Sequence, residues 1–214
     1  MRGSKILFVF LMLIPQLSWA LDRSFERIWL GVMGKKALQN DFSLWHEYQL
    51  RYDANATTMQ QTLFRFGLLK ALDKKNEVGF IAGYIQTGLT KEYRPTLQYT
   101  YQFDPMGDLA MSVRNRLEAR MIEDNPDFSM RYRAQFRVMK PVNEDYSMVV
   151  WDEPFLNITD DSWTGHRVIE RNRFFIGPRL HFEGLNLEVG YMNQFTPRKN
   201  ANVTEHVLTT YLYY

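Results

Sequence analysis

The sequence has no cysteine. That excludes disulfides, and it excludes a lipid anchor carried on a thiol, so the fold must hold without covalent staples. Beyond its first twenty residues the chain also lacks any long apolar run. A spanning helix needs about 20 consecutive apolar residues, so none is available there. Helical periodicity is missing as well: apolar residues nowhere recur convincingly at three- and four-residue spacing. An excess of one charge is the last absence. The chain carries 26 Lys+Arg against 24 Asp+Glu, and its first twenty residues include Arg2 and Lys5 but no acid. The remainder is therefore balanced, and no overall field attracts nucleic acid.

The opening residues form a distinct unit. Arg2 and Lys5 precede the apolar run "ILFVFLMLI", and "LSWA" places the small residues Ser18 and Ala20 behind it. This reads as a secretory signal peptide over residues 1–20, cleaved after Ala20. Residues 21–214 show no repeat, linker or low-complexity tract, so they are expected to form a single domain.

What that domain does have is alternation. In "SVRNRLEARM" (residues 112–121) and "SMRYRAQFRVM" (residues 129–139) every second position, from Ser112 to Arg120 and from Ser129 to Arg137, is polar and mostly arginine: Arg114, Arg116 and Arg120, then Arg131, Arg133 and Arg137. Val113, Leu117 and Ala119, then Met130, Tyr132 and Phe136, stand between the arginines. A period of two is that of a β-strand, whose side chains point alternately to opposite faces. The same pattern appears in "FSLWHEYQLRY", "EYRPTLQYTYQF", "RNRFFIGPRLHF" and "LNLEVGYMNQF", with turn signals such as "DKKN", "DPMGD" and "FEGLN" between segments. Eleven segments can be counted. Most exceed the usual ~5–6 residues of a soluble strand and match a tilted strand crossing hydrocarbon.

Alternation does not say which face is inside. A soluble calyx puts its apolar face inward, and a membrane barrel puts it outward. Strand length favours the membrane. So does a polar face rich in Arg, Glu and Gln with little Lys, since the planar guanidinium suits paired carboxylates. Aromatics near segment ends (Tyr48, Tyr52, Tyr93, Tyr101, Phe103, Tyr132, Tyr191, Phe195) fit interfacial girdles. The expectation is an all-β fold: a closed antiparallel transmembrane β-barrel of about ten strands, with twelve as second choice. Ten and twelve are preferred to the counted eleven because termini on one side of a membrane require an even number.

The arginines then line the lumen. The expected ion-paired interior comprises Glu47, Arg51, Arg94, Arg114, Arg116, Glu118, Arg120, Arg131, Arg133, Arg137, Glu153, Arg171, Arg173, Arg179 and Glu188, acting as a plug or as the lining of a narrow channel. Within "DEPFLN", Asp152, Glu153 and Asn157 are expected to crowd a corner at the outer rim, with Pro154 ending or bulging the strand. At the C-terminus Leu208, Thr210, Leu212 and Tyr214 share one face. This aromatic end resembles the C-terminal signal of bacterial outer-membrane barrels, which implies the barrel-assembly machinery as a partner, outer-membrane lipid as the surroundings and the outer membrane as the location.

"SLWHEYQLRY", "NRLEAR", "RYRAQFR", "DEPFLN", "NRFFIGP" and "LEVGYMNQ", in that order, resemble the proteobacterial outer-membrane family of domain-of-unknown-function 2490. The resemblance implies a barrel and no activity. Catalysis finds little footing in the residues. Barrel hydrolases set a serine and a histidine close together, yet His46 has no serine at i+2, and Ser43 falls on the other strand face. His166 lies in a loop near Asp160, Asp161 and Ser162; His181 is expected on the lumen face and His206 near the outer rim. No catalytic residue, cofactor or metal set is assigned. Two other readings remain open: a lipid-modifying outer-membrane enzyme, and a soluble periplasmic lipid-binding calyx.

Overall fold

Each alternating segment becomes a strand, and the strands close on themselves. The computed structural model describes residues 23–125, 127–159, 167–199 and 201–214. The signal-peptide reading of residues 1–20, and the loop residues Asp160, Asp161, Ser162 and His166, lie outside the described residues. The strands are β1 (Arg23–Ala37), β2 (Phe42–Asp53), β3 (Met59–Ala71), β4 (Asn76–Thr87), β5 (Thr90–Tyr93), β6 (Thr96–Gln102), β7 (Ala110–Ile122), β8 (Phe128–Pro141), β9 (Tyr146–Asn157), β10 (Ile169–Phe182), β11 (Leu185–Thr196) and β12 (Val203–Tyr213). No helix occurs among the described residues.

Neighbours in sequence pair antiparallel, and β1 pairs with β12 to shut the ring. β5 and β6 are two halves of one barrel position, interrupted at Arg94–Pro95, and both bridge β4 to β7. Pro95 explains the break, because it has no N–H to offer a ladder. Twelve strands thus fill eleven positions around the barrel. An odd ring forces one parallel pair, and β1 with β12 is that pair, in register from Arg23↔Val203 to Met33↔Tyr213. The parity argument for ten or twelve assumed both chain ends on one side. Here β1 begins at the end opposite the C-terminus, so the eleven segments visible in the sequence are the eleven positions of the ring.

One end of the barrel carries the turns at 38–41, 72–75, 103–109, 142–145 and 183–184, together with the C-terminus. The other end, the loop end, holds the last residues of β2, β4, β7, β9 and β11 and the first residues of β1, β3, β5, β8, β10 and β12. The turns have local causes. Gly184 supplies the left-handed backbone (φ 75°) of the short β10–β11 hairpin. In the β3–β4 turn the Asp73 carboxylate accepts the backbone N–H groups of Lys75 and Asn76, which holds its pKa below the usual aspartate value.

Outward faces are apolar and open: Leu30, Phe64, Phe66, Leu68, Phe80, Leu97 and Leu208 are all exposed. Inward faces are buried and mixed. Besides arginine and glutamate they carry Trp29, Val149, Trp151, Phe175, Met192 and Val207, a cluster in which Trp151 and Phe175 stack at 5.1 Å. Ile81 and Ile85 also point inward from β4. The interior is therefore less uniformly polar than the alternation suggests.

One expectation is corrected here. "DEPFLN" is not a corner at the rim: β9 runs unbroken through Pro154 to Asn157, with Glu153 and Asn157 buried inward and Asp152 outward. Pro154 is tolerated because the β8 ladder skips there, from Arg133↔Phe155 to Phe136↔Asp152. The outward Asp152 is met by Asn172 Nδ2, which donates to it at 2.8 Å. Leu208, Thr210, Leu212 and Tyr214 do share the outward face, and Tyr214 Oη meets His46 Nε2 at 2.6 Å. That contact places His46 on the outer surface.

Candidate functional site: an arginine-rich lumen

The site follows from register. β7 and β8 set Arg116 beside Arg133 and Glu118 beside Arg131, all facing inward. Like charges on adjacent strands repel, and burial sharpens the repulsion, so the interior needs carboxylates at matching heights. Glu118, fully buried, accepts from Arg131 Nε at 2.9 Å and from Arg133 Nη1 at 3.1 Å. Glu153 takes both Nε and Nη2 of Arg133, at 3.0 and 2.7 Å, and Arg114 Nη2 at 3.4 Å. Across the lumen Glu47 pairs with Arg65 Nη1 at 2.9 Å, and Arg65 also reaches Glu118 at 3.8 Å. The network therefore ties β2 and β3 to β7, β8 and β9.

Two further groups extend it. Toward the loop end Glu92 pairs with Arg94 at 2.8 Å and Arg120 at 2.6 Å, while Glu170 serves Arg131 at 2.6 Å and Arg171 at 2.7 Å. Toward the C-terminal end Glu188 pairs with Arg137 and lies 3.8 Å from Arg179. These side chains, together with those of Arg51, Arg116 and Arg173, point into the barrel interior.

Three arginines differ. Among the described residues Arg51, Arg116 and Arg173 have no carboxylate within ion-pair distance, and neutral glutamines hold them instead. Arg51 donates to Gln49 Oε1 at 2.9 Å and Gln61 Oε1 at 2.7 Å. Arg116 Nε donates to Gln98 Oε1 at 2.7 Å, and Arg173 Nε to Gln194 Oε1 at 2.7 Å. Two of these amides are relays: Gln49 passes its N–H to Glu47, and Gln194 passes its own to Glu205. Each guanidinium is also held against an indole. Arg51 and Arg173 lie 3.7 and 4.8 Å from the Trp29 centroid, and Arg116 lies 5.4 Å from that of Trp45. Geometry is satisfied here, but charge is not.

Several members escape the sequence. Arg65 sits in a segment whose alternation is loose. Glu170 defeats strict alternation, because a register shift between Ile169 and Arg171 turns both Glu170 and Arg171 inward. The glutamines do leave a signal: Gln49 stands two residues from Arg51 on one inward stripe. A second missed constellation lies at the C-terminal end. Ser147 Oγ meets His181 Nε2 at 2.8 Å, and His181 Nδ1 meets Asn186 Oδ1 at 2.7 Å. The amide oxygen only accepts, so Nδ1 carries the proton and the serine hydroxyl donates to Nε2. The residues are on three strands, which is why searching one strand for His and Ser does not find them. Ser147 is only 2% exposed, and the relay ties β9, β10 and β11 together.

Described residues of the barrel interior line two cavities. One of about 210 Å³ is lined by arginines including Arg51, Arg116 and Arg173, with Glu47, Glu153 and Glu188. The other, about 350 Å³, opens toward the loop end beside Arg27, Arg171 and Glu205. Trp29 and Arg51 line both.

A closed barrel with an apolar exterior and a polar, cavity-bearing interior belongs to the class of porin-like transmembrane β-barrels. The profile of the family described as "Protein of unknown function (DUF2490)" matches residues 26–205, and the chain belongs to that family. No curated protein matches the sequence. Among solved structures the chain is similar to one titled "NanC porin structure in rhombohedral crystal form", at 12% identity and TM-score 0.55, covering 81% of this chain and 86% of that one. At that identity the likeness concerns the fold.

Proposed function

We propose that this protein is a non-enzymatic outer-membrane barrel acting as a narrow porin-like channel, exported by the signal peptide of residues 1–20. The Glu47–Arg65–Glu118–Arg131–Arg133–Glu153 network plugs one side of the lumen, and the other side, along β1, β2 and β10 to β12, carries the path. The observation behind this reading is the pair of cavities of about 210 and 350 Å³ with Trp29 and Arg51 as their common wall. The outward stripe Leu208, Thr210, Leu212 and Tyr214 supports delivery to lipid by the barrel-assembly machinery.

Planar-bilayer recording tests it. The wild-type barrel is expected to pass small unitary currents that rise when Trp29→Ala opens the shared wall. A sealed plug would be the better reading if no current appeared even in Trp29→Ala and in Arg114→Ala/Arg131→Ala.

A further inference from the structure

The three carboxylate-free guanidiniums have a consequence beyond conduction. We infer that the 210 Å³ cavity is a binding site for a small organic acid, whose carboxylate sits between Arg51 and Arg173 at Trp29, with Arg116 in the same lining.

Charge in this cavity is unbalanced. The cavity lining carries eight arginines and three glutamates. Glu47 and Glu153 are already engaged by Arg65 and Arg133, and Glu188 by Arg137. Removing a guanidinium from water costs several kcal/mol unless an opposite charge offsets it, and a neutral amide offsets only part. Arg116 and Arg173 are nonetheless 3% and 7% exposed. Arg51 and Arg173 share the Trp29 ring, so their charges repel within a screening length of roughly 8–10 Å. An anion between them relieves both costs at once.

Geometry favours an anion as well. Hydrogen bonds to the glutamines, together with the Trp29 and Trp45 rings, fix where the guanidiniums stand before any ligand arrives. Such preorganisation reduces the ordering cost of binding. The glutamine carbonyls occupy the Nε edges of Arg116 and Arg173. No protein acceptor is assigned to their terminal amino groups, and a carboxylate accepts from two such groups at once. Arg114 Nε, buried in the same lining, has no protein acceptor either.

Size and wall chemistry narrow the solute. At about 210 Å³ the cavity is below the ~300–1,000 Å³ usual for drug-sized ligands, so the solute is small. Trp29, Trp151 and Met192 give it one apolar wall, which suits an organic acid better than a fully hydrated inorganic ion.

The inference rests on the open-path reading, because a solute must reach the cavity. Binding and conduction are nevertheless separable. The refolded full-length barrel in detergent, checked for heat-modifiable gel mobility, is titrated with D-gluconate and followed by intrinsic tryptophan fluorescence and by calorimetry. Saturable binding is expected, with no response to D-glucose and at least tenfold weaker binding of inorganic phosphate. Arg173→Gln and Arg51→Gln are each expected to weaken gluconate binding at least tenfold, while Lys140→Gln, on the outer surface, leaves it unchanged. Absence of saturable binding in the folded barrel overturns the site. So does binding that both arginine variants retain, or phosphate binding as tight as gluconate. In a bilayer, gluconate is expected to block the current. Gluconate binding without any wild-type or Trp29→Ala current removes the channel and keeps the site; current without binding removes the site and keeps the channel.

Discussion

Glu118 shows what one side chain does in this interior. It is fully buried and receives Arg131 and Arg133 together, with Arg65 behind them. Neutralising it leaves two buried cations sharing poorer acceptors, a loss of about 3–5 kcal/mol by the usual cost of breaking a buried pair. Glu118→Gln is therefore expected to unfold at lower denaturant concentration in detergent, with its slope unchanged. A midpoint equal to wild type would mean that Arg131 and Arg133 find their stability elsewhere. The glutamines act differently. Gln49, Gln98 and Gln194 give an arginine a geometry without giving it a counter-charge. That distinction separates the charge-compensated part of the lumen from the part that stays electropositive. The alternation located the arginines; it could not show which met glutamate and which met glutamine, because that depends on register between strands distant in sequence.

At the scale of elements, strands and turns were legible because each repeats a local rule: period two, then Gly, Asn, Asp or Pro. Three features were not. The break at Arg94–Pro95 divides one barrel position into β5 and β6. The register shift beside Glu170 moves a carboxylate inward. Apolar residues such as Val149 and Phe175 occupy inward sites because the barrel wall needs packing as well as charge. Close approach adds a further constraint. A Cβ on Gly190 would lie 2.5 Å from Ile176 O and 2.6 Å from the Phe175 ring. Gly190→Ala is thus expected to part β10 from β11 and to disturb the Trp151–Phe175 stack, lowering stability by about 1–3 kcal/mol, as overpacking does. The near-ultraviolet circular dichroism of the stacked aromatics should weaken with it. An unaltered aromatic spectrum in a folded Gly190→Ala barrel would contradict the packing described. Several polar groups on the outward face meet a partner on another strand: Asn115 with Tyr132, Asp152 with Asn172, and Tyr191 with His206. In hydrocarbon an unpaired polar group costs several kcal/mol.

The whole molecule is a ring of eleven positions closed by one parallel pair. Closure removes the open edges that a membrane does not tolerate, and it leaves two ends and one interior. The interior is asymmetric: a dense group of ion pairs gathers between β2, β3 and β7 to β9, while Arg51 and Arg173 lie against Trp29 of β1, in the wall that the two cavities share. In the proposed function, plug and path are two sides of that one lumen. Both depend on the orientation of the strands, with apolar stripes toward lipid and guanidinium stripes inward.

The chain contains no cysteine, so single thiols can report that orientation without interference. Spin labels at Leu117→Cys, Phe136→Cys and Leu187→Cys, in liposomes, are predicted to collide readily with dissolved oxygen and rarely with a water-soluble nickel chelate. A label at Gln135→Cys, one residue from Phe136, is predicted to lose that preference for oxygen. The reverse pattern, with Leu117, Phe136 and Leu187 shielded from lipid and the label at residue 135 facing it, would contradict the account.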